Sequence, residues 1–153
     1  MKIFELTAPE SIFFHAEKGD KFILLQKFCQ LMAERGIVDD ETAFFTIVKE
    51  REATMTTGIG YGIAIPHGRY EHVEKLHFFM IRLAEPLDFD SLDGQPVQLV
   101  FLLAVPLSQA QKYGRILQAL SGFLVRPENR KRLLEAGDEQ QIYQILKEID
   151  NDI

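Results

Sequence analysis

The sequence predicts a layered α/β fold made by one domain that spans residues 1–153. Three observations support this prediction. The length of 153 residues suits one domain. Strand-like segments in the middle of the chain are flanked by helical segments on either side. The segment from Val97 to Val105 is almost entirely apolar, which is typical of a central strand covered on both faces.

The N-terminal third predicts one strand and two helices. Residues 11–16 form a candidate short first strand. From Asp20 to Arg35 apolar residues recur at helical spacing, with Asp20 as the N-cap and Gly36 as the stop. A second helix is predicted from about Asp40 to Arg51. The residues that these helices are predicted to bury are Phe22, Leu25, Cys29 and Met32 in the first, and Phe44, Ile47 and Val48 in the second.

The rest of the chain predicts three strands followed by three helices. A glycine-rich segment without helical character comes first, because each glycine costs a helix interior about 1 kcal/mol. The strands are predicted at Ile63 to Ile65, Leu76 to Leu83 and Val97 to Val105, with a tight turn at Asp93-Gly94. The helices are predicted at Gln109 to Leu124, Pro127 to Ala136 and Asp138 to Ile149. Their predicted buried residues are Ile116, Leu117, Leu120, Phe123 and Leu124 in the first helix, and Ile142, Ile145 and Leu146 in the last.

Charge and cysteine content exclude several classes of protein. The chain has 17 Lys and Arg against 23 Asp and Glu, a formal net charge of -6, which disfavours general nucleic-acid binding. The basic segment at residues 126–132 leaves a local patch as the alternative to a solvated helix face. Cys29 is the only cysteine, so no intramolecular disulfide forms. No apolar run suits a signal peptide or a membrane span, and we therefore expect a cytoplasmic protein.

Three glycines at alternate positions, Gly58, Gly60 and Gly62, open the segment that carries the candidate chemistry. Glycine allows positive φ and a close approach of the backbone to a ligand. Successive backbone N–H groups in such a loop can form an anion-binding concavity. The spacing differs from both the Walker and the Rossmann patterns, so nucleotide binding is not predicted.

His67 is the candidate nucleophile at the end of this segment. The ordinary pKa of histidine, near 6.5, leaves a neutral ring nitrogen at physiological pH that can accept a phosphoryl group and pass it on. Pro66 fixes the chain entering His67, Gly68 leaves one flank of the imidazole uncrowded, and Arg69 offers a nearby cation. Phosphoryl transfer depends mostly on positioning and charge stabilisation, so we expect no cofactor.

The other histidines are predicted to have structural roles. His72 and His77 follow His67 at intervals of five, which places them on no common face of a helix and on opposite faces of a strand. No metal site is therefore predicted. Cys29 lies on an apolar helix face and is predicted to be a core thiol.

The run from Arg51 to Arg69 resembles the active-site signature of the type-2 (fructose/mannitol) IIA domains of the bacterial phosphotransferase system, nearest to their nitrogen-regulatory, PtsN-like branch. Residues 87–97 are similar to the acidic turn of that family, and residues 99–106 to its central strand and exit. The resemblance covers nearly the whole chain. It implies a mixed central β-sheet flanked by helices on both faces.

The resemblance also implies a site. His67 is expected to receive a phosphoryl group on Nε2 from the phosphocarrier protein HPr, and Arg51 to help neutralise the phosphate. Supporting positions around the phosphate are expected at Thr57, Gly58, Gly60, Gly62 and Gly68. Tyr113 stands where many family members have a second histidine. Tyrosine can donate a hydrogen bond to a phosphate oxygen but is not cationic near pH 7, so Lys112 or Arg115 is the alternative source of charge.

Three functions remain open from the sequence. The first is a phosphoryl carrier that acts as a nitrogen-type regulator, binding different proteins in its two charge states. The second is a sugar-specific IIA component that passes the group to a cysteine of a IIB domain. The third is a protein-interaction module that is not phosphorylated. A self-sufficient NTP-using kinase is not predicted, because the chain has no Walker lysine and no kinase-like set of Lys and Asp.

Overall fold

A six-stranded mixed sheet forms the centre of the computed structural model, which describes residues 1–153. The strands are β1 (Ile12–His15), β2 (Gly58–Gly60), β3 (Ile63–Ala64), β4 (His67–Tyr70), β5 (His77–Leu87) and β6 (Val97–Pro106). The helices are α1 (Lys21–Glu34), α2 (Glu41–Thr54), α3 (Ala110–Leu124), α4 (Pro127–Glu135) and α5 (Glu139–Leu146). Short 3₁₀ helices lie at Ile3–Leu6, Pro9–Ser11 and Leu107–Gln109.

The strands are arranged around β6. Its neighbour β5 is antiparallel, with Met80 opposite Phe101, and β1 continues the sheet parallel to β5. Both β3 and β4 pair with β6 in parallel, one beside residues 99–100 and the other beside residues 103–106. These two strands therefore follow each other along the edge of β6 that β5 leaves free. The antiparallel strand β2 completes the sheet beyond β3.

The strand β6 separates two apolar cores, as its sequence predicts. Leu99, Phe101, Leu103 and Val105 belong to the core beneath α3, α4 and α5. Val100, Leu102 and Ala104 belong to the core beneath α1 and α2. Because both faces of the sheet are covered, β6 is buried along its length except at half-buried Gln98. The predicted mixed sheet with helices on both faces is confirmed.

Aspartate N-caps begin three of the helices. The side chain of Asp20 accepts a hydrogen bond from the Ile23 backbone N–H at 2.9 Å, as predicted for α1. Asp40 and Asp138 cap α2 and α5 in the same way, each at three residues' separation. Gly36 follows the end of α1 with a φ of +75°, the conformation that favours glycine at such a stop.

Several boundaries and burial assignments differ from the predictions. The helix α2 continues beyond Arg51 to Thr54, β5 extends beyond Leu83 to Leu87, and α5 ends at Leu146, short of the predicted end at Ile149. The half-buried residues among those predicted to be fully buried are Phe22, Ile47, Leu117 and Phe123.

The largest difference concerns the glycine-rich segment. The sequence predicts a non-helical loop before a strand at residues 63–65, but the segment forms the β2–β3 hairpin. His67, for which the sequence predicts no strand, begins β4. Pairing with β6, which is distant in sequence, supplies the backbone hydrogen bonds that local propensity does not predict.

Candidate active site

His67 lies where the strand along β6 is interrupted. Ile65 and Pro66 stand between β3 and β4, and Pro66 has no N–H to donate to a ladder. The break is held from both sides, because the Ile65 N–H donates to the Thr57 carbonyl at 3.0 Å and the Leu103 N–H donates to the Pro66 carbonyl at 3.0 Å. The backbone of His67 is then fixed opposite Leu103 of β6.

The imidazole of His67 has one ring nitrogen engaged and one free. Nδ1 lies 3.3 Å from the Ile65 carbonyl oxygen. A carbonyl oxygen only accepts, so Nδ1 is the protonated nitrogen and Nε2 has the lone pair. Nε2 makes no hydrogen bond within the chain and is not sealed in the interior. This is the tautomer that a nucleophile needs at Nε2.

Burial keeps this ring neutral. His67 is 8 % exposed, and the loss of solvation lowers its pKa to about 4. The hydrogen bond to Ile65 opposes the shift, the cations Arg51 and Arg69 add to it, and Glu52 opposes it. The imidazole therefore remains unprotonated, and its Nε2 lone pair available, well below pH 7.

Two guanidinium groups flank a shallow depression at His67. The depression is lined by Ile47, Arg51, His67, Arg69 and Leu107. Arg51 lies in the last turn of α2, where its Nη1 donates to the Met55 carbonyl at 2.7 Å and so orients the side chain. Arg69 is exposed. Guanidinium groups match phosphate oxygens in charge and in hydrogen-bond geometry, so the depression suits a phosphoryl group.

Tyr113 of α3 covers one face of the imidazole. The two rings are stacked, with centroids 3.8 Å apart and planes inclined by 26°. The Tyr113 hydroxyl makes no hydrogen bond within the chain, and burial of the side chain raises its pKa. The residue therefore remains a neutral hydrogen-bond donor beside His67. Of the alternative cations on α3, Lys112 is half-buried and Arg115 is exposed.

Gly68 allows α2 to pack closely against β4. A Cβ atom at this position would lie 2.8 Å from Cε1 of Phe44 and 3.0 Å from Cγ2 of Val48. The missing side chain of Gly68 thus makes room for the helix, and its effect on the flank of the imidazole stays a prediction. Because α2 also carries Arg51, the close packing helps to bring that guanidinium to His67.

The alternate glycines do not line the depression. Gly60 and Gly62 have φ values of +103° and +77°, which shape the β2–β3 hairpin. A Cβ atom at Gly58 would lie 2.2 Å from Oγ of Ser91, so this position packs against the acidic turn. The Tyr61 N–H in the hairpin donates to the Asp93 carboxylate at 3.0 Å. In the structure these glycines shape and pack the hairpin, and the cations Arg51 and Arg69 line the depression at His67.

Thr57 is buried beside an ion pair that sequence reasoning missed. Its backbone N–H donates to Oε2 of Glu52 at 2.9 Å, and its hydroxyl donates to Oε1 of the same carboxylate. Nζ of Lys21 lies 3.1 Å from Oε2 of Glu52. Both donors of Thr57 thus contact Glu52. A signal was present, since Glu52 is an acidic residue directly after Arg51, but its partner Lys21 is far away in sequence.

Known proteins resemble this chain over nearly its whole length. Residues 5–149 match the family model described as "Phosphoenolpyruvate-dependent sugar phosphotransferase system, EIIA 2". The chain belongs to this EIIA family. It is 38% identical over 146 residues to a nitrogen regulatory protein of Bradyrhizobium diazoefficiens, covering 95% of each chain. It is 35% identical to a PTS system fructose-specific EIIA component of Haloferax volcanii, covering 94% of each.

Solved EIIA structures share the fold. The crystal structure of the nitrogen regulatory protein IIA-Ntr from Neisseria meningitidis superposes with a TM-score of 0.87 at 32% identity, covering 94% of this chain and 98% of that one. IIA mannitol from Escherichia coli has a TM-score of 0.77 at 20% identity, covering 91% and 97% of the two chains, which shows the shared fold alone. None of the helices of this EIIA domain has the length and apolar character needed to cross a membrane.

The structure of this EIIA domain therefore brings together some of the predicted site residues and separates others. Arg51 and Tyr113 lie at His67, on α2 and α3 respectively. The glycine hairpin and Thr57 precede His67 in the chain and hold its backbone through the hydrogen bond between Thr57 and Ile65. Their predicted contacts with a phosphate remain predictions. The chain holds no cluster of His, Cys, Asp and Glu that suits a metal ion.

Proposed function

We propose that this EIIA domain carries a phosphoryl group on Nε2 of His67, accepted from an HPr-type phosphocarrier protein. The observation that supports the proposal most is the state of the imidazole. Its Nε2 is unprotonated and free beside Arg51 and Arg69, while Nδ1 is held by the Ile65 carbonyl. In this role we expect the domain to act in the cytoplasm.

The chemistry follows from that arrangement. The lone pair on Nε2 of His67 attacks the phosphorus of the donor, a new N–P bond forms, and the donor's bond to phosphorus breaks with its electron pair. Positive charge develops on the imidazole as the new bond forms, and the hydrogen bond from Nδ1–H to the Ile65 carbonyl stabilises it. Arg51 and Arg69 stabilise the negative charge on the phosphoryl oxygens. Tyr113 restricts rotation of the ring by stacking on it.

The nitrogen-regulatory role is the one we favour for the carried group. The nitrogen regulatory protein of Bradyrhizobium diazoefficiens is similar to this chain over nearly its whole length. A phosphoryl group adds a charge of about -1.5 to -2 to a surface that now presents two arginines. Phosphorylation therefore largely cancels the positive charge of the two arginines, and a partner that recognises one charge state binds the other more weakly.

A sugar-specific role is the alternative that a specific similarity favours. The fructose-specific EIIA component of Haloferax volcanii is 35% identical to this chain. In that role the phosphoryl group of His67 passes to the cysteine of a IIB domain. The same nucleophile serves both roles, so the site alone does not separate them.

The test begins with the phosphorylation itself. The purified chain is incubated with phosphoenolpyruvate and the upstream phosphotransferase proteins, and intact mass is measured. We expect a gain of one phosphoryl group that is lost in acid, absent in His67→Gln, and retained in the control His72→Gln, whose side chain is exposed. An adduct that persists in His67→Gln or survives acid contradicts the proposal.

A second experiment separates the roles. The phosphorylated domain is mixed with candidate IIB proteins and, separately, used beside the unphosphorylated domain to capture partners. Transfer to a IIB cysteine supports the sugar-specific role. Partners that differ between the two charge states, without such transfer, support the regulator. Identical partners for the wild type and His67→Gln, together with no adduct, indicate an interaction module.

A further inference from the structure

A buried ion pair joins the start of α1 to the end of α2. The Glu52 side chain is 0% exposed and the Lys21 side chain 11%, and Nζ lies 3.1 Å from Oε2. Nζ of Lys21 also donates to the Phe89 carbonyl at 3.3 Å. A buried ion pair is seldom more stabilising than apolar residues of the same size, so its presence raises the question of what it holds in place.

The carboxylate holds Thr57 on both of its donors. The backbone N–H of Thr57 donates to one oxygen of Glu52 and the hydroxyl to the other. With Lys21 at 3.1 Å, the carboxylate has hydrogen-bond partners on both oxygens. Thr57, which precedes the glycine hairpin, is thereby fixed in position and orientation.

From Thr57 the hydrogen bonds continue to the imidazole. The Thr57 carbonyl accepts from the Ile65 N–H at 3.0 Å, and the Ile65 carbonyl accepts from Nδ1 of His67 at 3.3 Å. A continuous path therefore runs from the buried ion pair to the ring nitrogen opposite the nucleophile. It passes through Ile65, in the break between β3 and β4.

We propose that Glu52, with Lys21 as its buried counter-ion, is a positioning residue that fixes the protonated Nδ1 tautomer of His67 through Thr57 and Ile65. The inference deepens the proposed function, since it assigns the residues that present Nε2 for reaction. Glu52 itself touches neither the imidazole nor the depression.

The counter-ion explains why a carboxylate is tolerated so near a phosphate site. An unpaired Glu52 would repel the dianionic phosphoryl group. Lys21 compensates the charge of Glu52, and its Nζ also lies 3.6 Å from the exposed carboxylate of Asp90. The other charged or titratable groups at the ring are Arg51 of α2, Arg69 of β4 and Tyr113 of α3. None of these three is hydrogen-bonded to Thr57, so the path from Glu52 can be altered without removing them.

The test measures the tautomer of His67 by ¹⁵N NMR of the imidazole at pH 7, without any phosphoryl donor. Thr57→Val removes only the hydroxyl donor, and Thr57→Ser restores it. Glu52→Gln removes the carboxylate charge, and Glu50→Gln is the matched control because Glu50 is exposed on the same helix. We expect Nε2–H to be populated in Thr57→Val and Glu52→Gln, with wild-type spectra for Thr57→Ser and Glu50→Gln.

Phosphoryl acceptance is the second readout. We expect its rate to fall about tenfold in Thr57→Val and in Glu52→Gln, the lower end of the range for lost supporting contacts. If Glu52→Gln does not fold, the Thr57 pair decides the question. A folded Thr57→Val that keeps the wild-type tautomer overturns the inference. Because the NMR experiment needs no phosphorylation, a tautomer change without any adduct would contradict the proposed function and leave this inference standing.

Discussion

Acid should destabilise this domain through His67. In the unfolded chain this histidine has its ordinary pKa of 6.5, but burial lowers its pKa in the folded chain to about 4. Between these values the unfolded state binds a proton that the folded state does not, so unfolding is favoured as pH falls. The effect is small at pH 7, reaches about 2 kcal/mol at pH 5, and approaches about 3 kcal/mol below pH 4.

The assay compares urea unfolding of the wild type and His67→Gln at pH 7, 6 and 5. Other titrating groups, among them His15, His72 and His77, are present in both chains, so they cancel in the difference between the two. Any pH-independent difference in stability between the wild type and His67→Gln is also cancelled, because only the change between pH 7 and pH 5 is compared. We expect the wild type to lose about 2 kcal/mol more than the variant between pH 7 and pH 5. Equal losses in the two chains would refute the assignment of a buried, neutral imidazole at this position.

Three further predictions concern the surroundings of that ring. Gly68→Ala should destabilise the fold by about 1–3 kcal/mol, because the added Cβ meets α2 at 2.8 Å. Gly114→Ala, on the open surface of α3, should stabilise the fold by about 0.5–1 kcal/mol, and thermal unfolding of both variants checks the two values. Lys21→Met should destabilise by about 3–5 kcal/mol, because it leaves the Glu52 carboxylate buried without its counter-ion, as measured by urea unfolding at pH 7. Tyr113→Leu should raise the pKa of His67 from about 4 towards 6.5, because it removes the ring that covers the imidazole, whereas Tyr113→Phe keeps the stack and should leave it unchanged in an NMR titration.

Much of the fold could be predicted because its signals are local. Asp20 before an apolar period of helical spacing places the start of α1, and the structure confirms that cap. The uninterrupted apolar run of β6 places a central strand with two covered faces. Such signals depend only on residues that are close in sequence, so they can be recognised without knowing what packs against the element.

The remainder depends on pairing between distant parts of the chain. The strand β4 contains a histidine, a glycine and an arginine, and it exists because β6 provides a complete ladder beside it. The link from Lys21 to Glu52 crosses 31 residues, so no periodicity reveals it. The permissive backbone of the three alternate glycines predicts an anion-binding loop. The same permissiveness also suits a hairpin packed against an acidic turn, and the structure shows the hairpin.

The acceptor for the imidazole N–H is a carbonyl oxygen of the main chain, belonging to Ile65. Every amino acid supplies that oxygen, so no codon change at position 65 deletes it. In a mutational scan, the effects of substitutions at position 65 would therefore report how well each side chain fills the core. They would not reveal the hydrogen bond to His67. The amino acid at position 65 can thus change without altering which nitrogen of His67 carries the proton. Selection for that tautomer acts instead on the residues that hold the backbone of residue 65 in place.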